Sequence, residues 1–179
     1  MVSAPSGAGK TTLCRALREA CPAMWYSISH TTRTPRPGET DGVDYHFTDE
    51  RAFLRMREKG DLAEWAEVHG HFYGTSAKLL DQALVSGHDI LLDIDVQGTI
   101  QILKRYPDAV TLFIMAPSLD VLRERLLKRG TEDAHTLEQR LANAEKEIAW
   151  ASIYRHVIVN DRLPAAIDEF IGIIRQYQT

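Results

Sequence analysis

The sequence predicts an α/β fold: a parallel sheet with helices on both faces. Three observations lead there. The runs Asp89-Ile-Leu-Leu-Asp93, Val110-Thr-Leu-Phe-Ile-Met115 and His156-Val-Ile-Val-Asn160 hold consecutive apolar residues, the pattern of strands covered on both sides. Segments of helical period alternate with these runs. The chain has 179 residues, 44% hydrophobic and 26% charged. That suits one domain, or one domain with a small insertion, and is too short for two independent enzyme domains.

The elements follow in order. Met1-Val2 is a short apolar start that leads into a glycine-rich turn. Lys10 to Ala20 carries Leu13, Ala16, Leu17 and Ala20 on one helical face, and Pro22 closes it. From Ser29 to Thr75 the rhythm breaks: Thr, Pro, Gly, Arg and aromatics dominate, with a short helix near Asp49 to Lys59 ended by Gly60. Tyr45, Phe47, Phe53, Trp65, Phe72 and Tyr73 can form a small core there, so the segment reads as an inserted subdomain. Leu79, Leu80, Ala83 and Leu84 make the next helical stripe, stopped by Gly87. A helix is expected from Ser118 to Arg129, stopping at Gly130. Another is expected to begin at Thr136-Leu-Glu-Gln139, which has capping-box spacing. The last, near Pro164, packs through Ile167, Phe170, Ile171 and Ile174.

Composition excludes several classes. Twenty-one Lys and Arg against 25 Asp and Glu give a net charge of −4, which argues against broad nucleic-acid binding. Fifteen of the cations are Arg, suited to bidentate phosphate contacts made locally. The longest apolar stretches, such as Val110 to Pro117, are far short of a membrane span. No leader pattern opens the chain, and Cys14 and Cys21 are too few for a disulfide framework, so a cytoplasmic protein is expected.

Ala4-Pro-Ser-Gly-Ala-Gly-Lys-Thr11 resembles the P-loop, in which backbone N–H groups cradle phosphates, a Lys bridges the β and γ phosphates and a hydroxyl binds Mg²⁺. Ala4 stands where the first glycine is usual, while Gly7, Gly9, Lys10 and Thr11 are all present. ATP contacts are expected at Ala4, Ser6, Gly7, Ala8, Gly9, Lys10, Thr11 and Thr12, with Thr11 as the Mg²⁺ ligand.

Further motifs narrow the reading: Ser27-Ile-Ser29-His-Thr-Thr-Arg33-Thr-Pro-Arg36-Pro-Gly-Glu39 with Asp44-Tyr45, Gly70-His-Phe-Tyr73-Gly-Thr75, and Asp93-Ile-Asp95-Val-Gln-Gly98. In order and spacing these are similar to guanylate kinase, a P-loop nucleoside monophosphate kinase, from Ser3 to the final helix. The resemblance implies a Mg²⁺-dependent transfer of the ATP γ-phosphoryl group to GMP, in purine metabolism. It implies that Arg33 and Arg36 grip the GMP phosphate with Tyr45 and Tyr73. Glu64 would read guanine N1–H and the exocyclic amine, Ser29 and Thr75 would complete base recognition, and Asp93 would lie near the nucleoside. Arg125, Arg129 and Arg140 would neutralise the phosphoryl group in flight beside Lys10 and Arg33, and Asn160 would contact the adenine. The chain then divides into core segments 1–28, 79–117 and 146–179, a nucleoside-monophosphate-binding subdomain 29–78 and a helical lid 118–145. ATP and GMP are the expected partners, in a monomer or small homo-oligomer.

The residues support this independently. Two arginines three apart in a Pro-restrained loop can converge on one dianion. A carboxylate opposite guanine meets two donors, whereas adenine offers it a bare N1 lone pair, so such a site can reject the wrong base by ~10⁴-fold. His69 and His71, two apart in an expected strand, lack a third ligand of sensible spacing and read as surface or packing residues. The alternative is a guanylate kinase-like module that binds peptides without catalysis. It predicts a damaged P-loop and missing phosphate arginines, and both are intact here.

Overall fold

The computed structural model describes residues 1–68, 70–128 and 134–178. In chain order the elements are β1 (Val2–Ser3), α1 (Lys10–Ala20), β2 (Trp25–Tyr26), β3 (His30–Thr31), β4 (His46–Phe47), α2 (Glu50–Glu58), β5 (Leu62–Val68) and β6 (His71–Ser76). There follow α3 (Ala77–Val85), β7 (Ile90–Leu91), α4 (Val96–Arg105), β8 (Leu112–Met115), α5 (Leu119–Lys128), α6 (Ala134–Ile148), β9 (His156–Val159) and α7 (Leu163–Arg175). They form two compact units, Met1–Pro22 with Val110–Thr179, and Ala23–Ala109.

The first unit holds a three-stranded parallel sheet in the order β1-β8-β9, with Val2 opposite Leu112 and Leu112 opposite His156. Leu112, Phe113 and Ile114 are fully buried, as consecutive apolar residues in a covered strand must be. Helix α1 packs against α7, and α5 against α6. Leu122 and Leu126 of α5 share a buried cluster with Leu137, Leu141 and Ala144 of α6. Helix α6 already runs from Ala134, so Thr136 lies inside it and is not its cap. A Thr-x-x-Gln pattern has the same spacing inside a helix as at its start. Gly130, the expected stop of α5, lies outside the described residues.

The second unit combines a parallel pair, β2 with β7, and a four-stranded mixed sheet in the order β4-β3-β6-β5. Its α2 is capped by Asp49, whose carboxylate accepts from the Ala52 N–H at 2.8 Å, and Gly60 follows at φ 72°. The aromatic core is present. Phe53, fully buried, stacks on Phe72 at 5.5 Å, and Trp65 meets Phe72 edge-on. Tyr45 touches Phe47 and Tyr73, each with 5.9 Å between ring centroids. On α3 only Leu80 and Ala83 of the expected stripe are buried, while Leu79 and Leu84 face outward.

Residues 79–109 lie in the second unit, where α3 and α4 both pack on β5. The strand expected over 89–93 is formed at Ile90–Leu91, with Asp93 in an isolated bridge, and it pairs in parallel with Trp25–Tyr26. β5 ends at Val68 and β6 opens at His71, and His69, expected to share a strand with His71, lies outside the described residues. Among the described residues no cluster of acidic, His or Cys side chains could hold a metal ion by itself, and no helix is long and apolar enough to cross a membrane.

Candidate functional site

The phosphate cradle is in the first unit. Gly7 and Gly9 have φ of 88° and 99°, left-handed values that a side chain strongly disfavours. Gly9 is the N-cap of α1, and its carbonyl accepts from Thr12 and Leu13, both at 3.1 Å. The loop therefore ends on a helix N-terminus whose first turn has no acidic residue, a geometry made for an anion. Thr11 is exposed, and Ala4, Ser6, Lys10 and Thr12 are partly so. Ala8 is buried, and its N–H closes a turn onto the Pro5 carbonyl at 3.1 Å.

Asn160 supports this loop from beneath. It is buried, and its Nδ2 donates to the Ala8 carbonyl at 2.8 Å. A β-carbon on Gly9 would collide with that same amide. Asn160, the residue expected near the adenine, gives its Nδ2 to the loop, while its buried Oδ1 makes no hydrogen bond among the described residues. The main-chain oxygen of Asn160 accepts from Arg125 Nη2 at 2.8 Å, which ties α5 to the end of β9. Arg125 and Arg140 are half-buried, on α5 and α6. Arg129 lies outside the described residues.

The second unit holds the acceptor candidates. Arg33 Nη2 meets Glu39 Oε1 at 2.8 Å, Nη1 donates to the Thr34 carbonyl at 2.7 Å, and the guanidinium lies 5.4 Å from the Tyr45 ring centroid. Glu39 raises the Arg33 pKa further, with Tyr73 adding to the effect, while Arg33 holds the Glu39 carboxyl below its usual range. The other oxygen of Glu39 accepts from the Arg36 N–H at 2.7 Å. One carboxylate therefore organises both arginines of the loop, with the Arg36 side chain left exposed. Sequence reasoning assigned Glu39 no role. The available signal was an acidic residue three after one arginine and six after the other.

Glu64 is only 4% exposed, on β5, and its Oε1 accepts from the Thr75 hydroxyl on β6 at 2.6 Å. The antiparallel ladder pairs these two residues directly. Burial pushes the Glu64 carboxyl up to about 7, and the charge of Asp95 adds to this against the Thr75 bond, which pulls the other way. Ser29 is also buried, and its carbonyl accepts from the His46 N–H at 2.9 Å. Asp93 accepts from the Tyr26 hydroxyl at 3.4 Å. A buried carboxylate beside a hydroxyl can accept two donors from a planar base, and the Arg33–Glu39–Arg36 loop can take a dianion.

Comparison with known proteins agrees with this chemistry. The guanylate kinase family model matches residues 1–177. The chain is 48% identical over 174 residues to a guanylate kinase of Bordetella pertussis, covering 97% of this chain and 81% of that protein. It is 49% identical over 174 residues to a guanylate kinase of Syntrophotalea carbinolica, covering 97% of this chain and 83% of the relative. The crystal structure of guanylate kinase from Anaplasma phagocytophilum superposes with a TM-score of 0.79 at 34% identity, over 99% of this chain and 84% of that one.

Proposed function

The chain belongs to the guanylate kinase family, and on that premise we propose how its residues serve the reaction. It is a nucleoside monophosphate kinase that transfers the γ-phosphoryl group of ATP to GMP, giving ADP and GDP. The observation that carries the assignment of roles is the Glu64–Thr75 pair. A carboxylate 4% exposed is expensive to keep unless a ligand supplies donors, and guanine supplies two. The peptide-binding alternative needs a degraded P-loop, and Gly7, Gly9, Lys10 and Thr11 are in place.

In this reading Gly7, Gly9, Lys10, Thr11 and Thr12 bind the ATP phosphates, with Ala4 and Ser6 lining the turn. Arg33 and Arg36, with Tyr45 and Tyr73, hold the GMP phosphate. Glu64, Thr75 and Ser29 read the base, and Asp93 lies beside the nucleoside. Arg125 and Arg140, with Arg129, serve the transferring group. Mg²⁺ fits the cradle: Thr11 offers an exposed hydroxyl, a hard oxygen donor, in the first turn of α1. When bound, Mg²⁺ neutralises charge on the β and γ phosphate oxygens.

The nucleophile is a GMP phosphate oxygen. Phosphate monoesters have a second pKa near ~6, so at pH 7 it is largely ionised and no side chain must remove a proton. The protein's task is then positioning and charge neutralisation. Lys10 and the arginines supply fixed positive charge where the transfer spreads negative charge over the γ-phosphoryl oxygens. Cys14 and Cys21 are buried thiols, which accords with a cytoplasmic setting.

A coupled ADP-release assay with GMP, AMP, CMP and UMP tests the reading. Turnover confined to GMP is expected, and turnover of AMP without GMP would refute the role of Glu64.

A further inference from the structure

Helix α4 opens at Val96, capped by Asp95, whose Oδ1 accepts from the Gly98 N–H at 2.7 Å. Gly98 is the third residue of the helix and is buried. Glycine weakens a helix relative to alanine, and Gly98 is not among the glycines with positive φ, so backbone freedom does not explain it. Its neighbours do. A methyl group at Gly98 would collide with Oε2 of Glu64, lie 3.0 Å from the Glu64 Cδ and 3.3 Å from Asp95 Oδ1.

We propose that Gly98 is a specificity-determining positioning residue: its missing side chain is the seat in which the Glu64 carboxylate rests against α4. The inference rests on Glu64 being the guanine reader and names what fixes it in place. Two further residues belong to the same device. Gln101, three residues on and so on the same helical face, accepts from the Trp65 N–H at 3.2 Å and donates to the Trp65 carbonyl at 2.6 Å. Thr75 holds the other carboxylate oxygen. The helix thus fixes the peptide next to Glu64 and leaves room for one oxygen, while β6 anchors the second. A guanine edge requires both oxygens in the base plane, so a displacement of a few tenths of an ångström weakens both bonds together.

The test is a set of variants assayed for KM with GMP and ATP, and for preference of GMP over IMP, which lacks the exocyclic amine. Gly98→Ala should raise the GMP KM by roughly tenfold and shrink the preference, with the ATP KM within about twofold. Gly172→Ala is the control: Gly172 is exposed in α7 with nothing within 4 Å, so it should change none of these. Glu64→Asp, one methylene shorter, should impair the wild type yet restore part of the GMP turnover lost in Gly98→Ala. If Gly98→Ala alone fails to fold, that double variant should recover folded protein by thermal melting. Gly98→Ala behaving like Gly172→Ala, or no rescue by the shorter acid, overturns the proposal. Glu64→Gln retaining wild-type GMP KM and preference would instead overturn the role of Glu64 itself.

Discussion

Asn160 Nδ2 donates to the Ala8 carbonyl at 2.8 Å, so the P-loop rests on a side chain 152 residues further along the chain. The bond is buried, and removing one partner of a buried pair leaves the other unsatisfied. Asn160→Ala should raise the ATP KM by roughly tenfold and leave the GMP KM within about twofold. Asn160→Asp should be worse, since a carboxylate cannot donate to a carbonyl. Steady-state kinetics with each substrate varied in turn checks both, and an equal rise in the two KM values would refute the assignment.

Glu39 makes a different prediction in the other unit. It orients the Arg33 guanidinium at 2.8 Å and the Arg36 backbone at 2.7 Å. Glu39→Ala removes both restraints, and the arginines must then be ordered by the ligand. The GMP KM should rise by about tenfold, with a smaller change in kcat and none in the ATP KM. A kcat loss with unaltered KM would show that Glu39 acts elsewhere.

In the proposed reading the carboxyl of Glu64, pushed up to about 7, must be ionised to accept both guanine donors. GMP affinity should therefore climb by about tenfold between pH 6 and pH 8, as the ionised fraction of a group titrating near 7 requires. Glu64→Gln carries the same GMP phosphate ionisation and supplies the baseline, which should lack this component. Titration of Trp65 fluorescence at fixed ionic strength measures it. A wild-type profile parallel to that of the variant would contradict the raised pKa.

The same shift has a consequence for stability. An acid whose folded pKa lies above its unfolded value of 4.5 binds the proton more tightly when folded. Its stabilising contribution is complete below about 4.5 and is lost as pH rises through about 7. Without nucleotide, Glu64→Gln should therefore gain up to about 3 kcal/mol over the wild type at pH 8 and little at pH 4.5. Denaturant midpoints at the two pH values decide it. Equal differences at both would remove the carboxyl as the cause.

Much of the fold is legible in the chain because its signals are local. Helix α1 runs from Lys10 to Ala20 as read, since Gly9 opens it and Pro22 follows its end. Asp49 and Gly60 bracket α2 in the same way. The strands β8 and β9 announce themselves through unbroken apolar runs. What escapes the sequence depends on distance. Trp25–Tyr26 becomes a strand only because Ile90–Leu91 lies beside it. The packing of α4 on β5 within the second unit is likewise a contact between distant segments. The residues proposed to carry the chemistry stand in motifs, whereas the contacts that steady them leave no local pattern. Gln101 reaches Trp65 across 36 positions and Asn160 reaches Ala8 across 152, and no local pattern records either contact.

The near-neutral acid at position 64 also couples nucleotide uptake to the solvent. At pH 7 about half of the unliganded molecules carry a proton there, given a pKa of about 7. With Glu64 as the proposed guanine reader, seating the base expels it. The heat of GMP association should then scale with the ionisation enthalpy of whatever buffer takes up that proton, so that phosphate and Tris solutions yield different apparent enthalpies for one binding event.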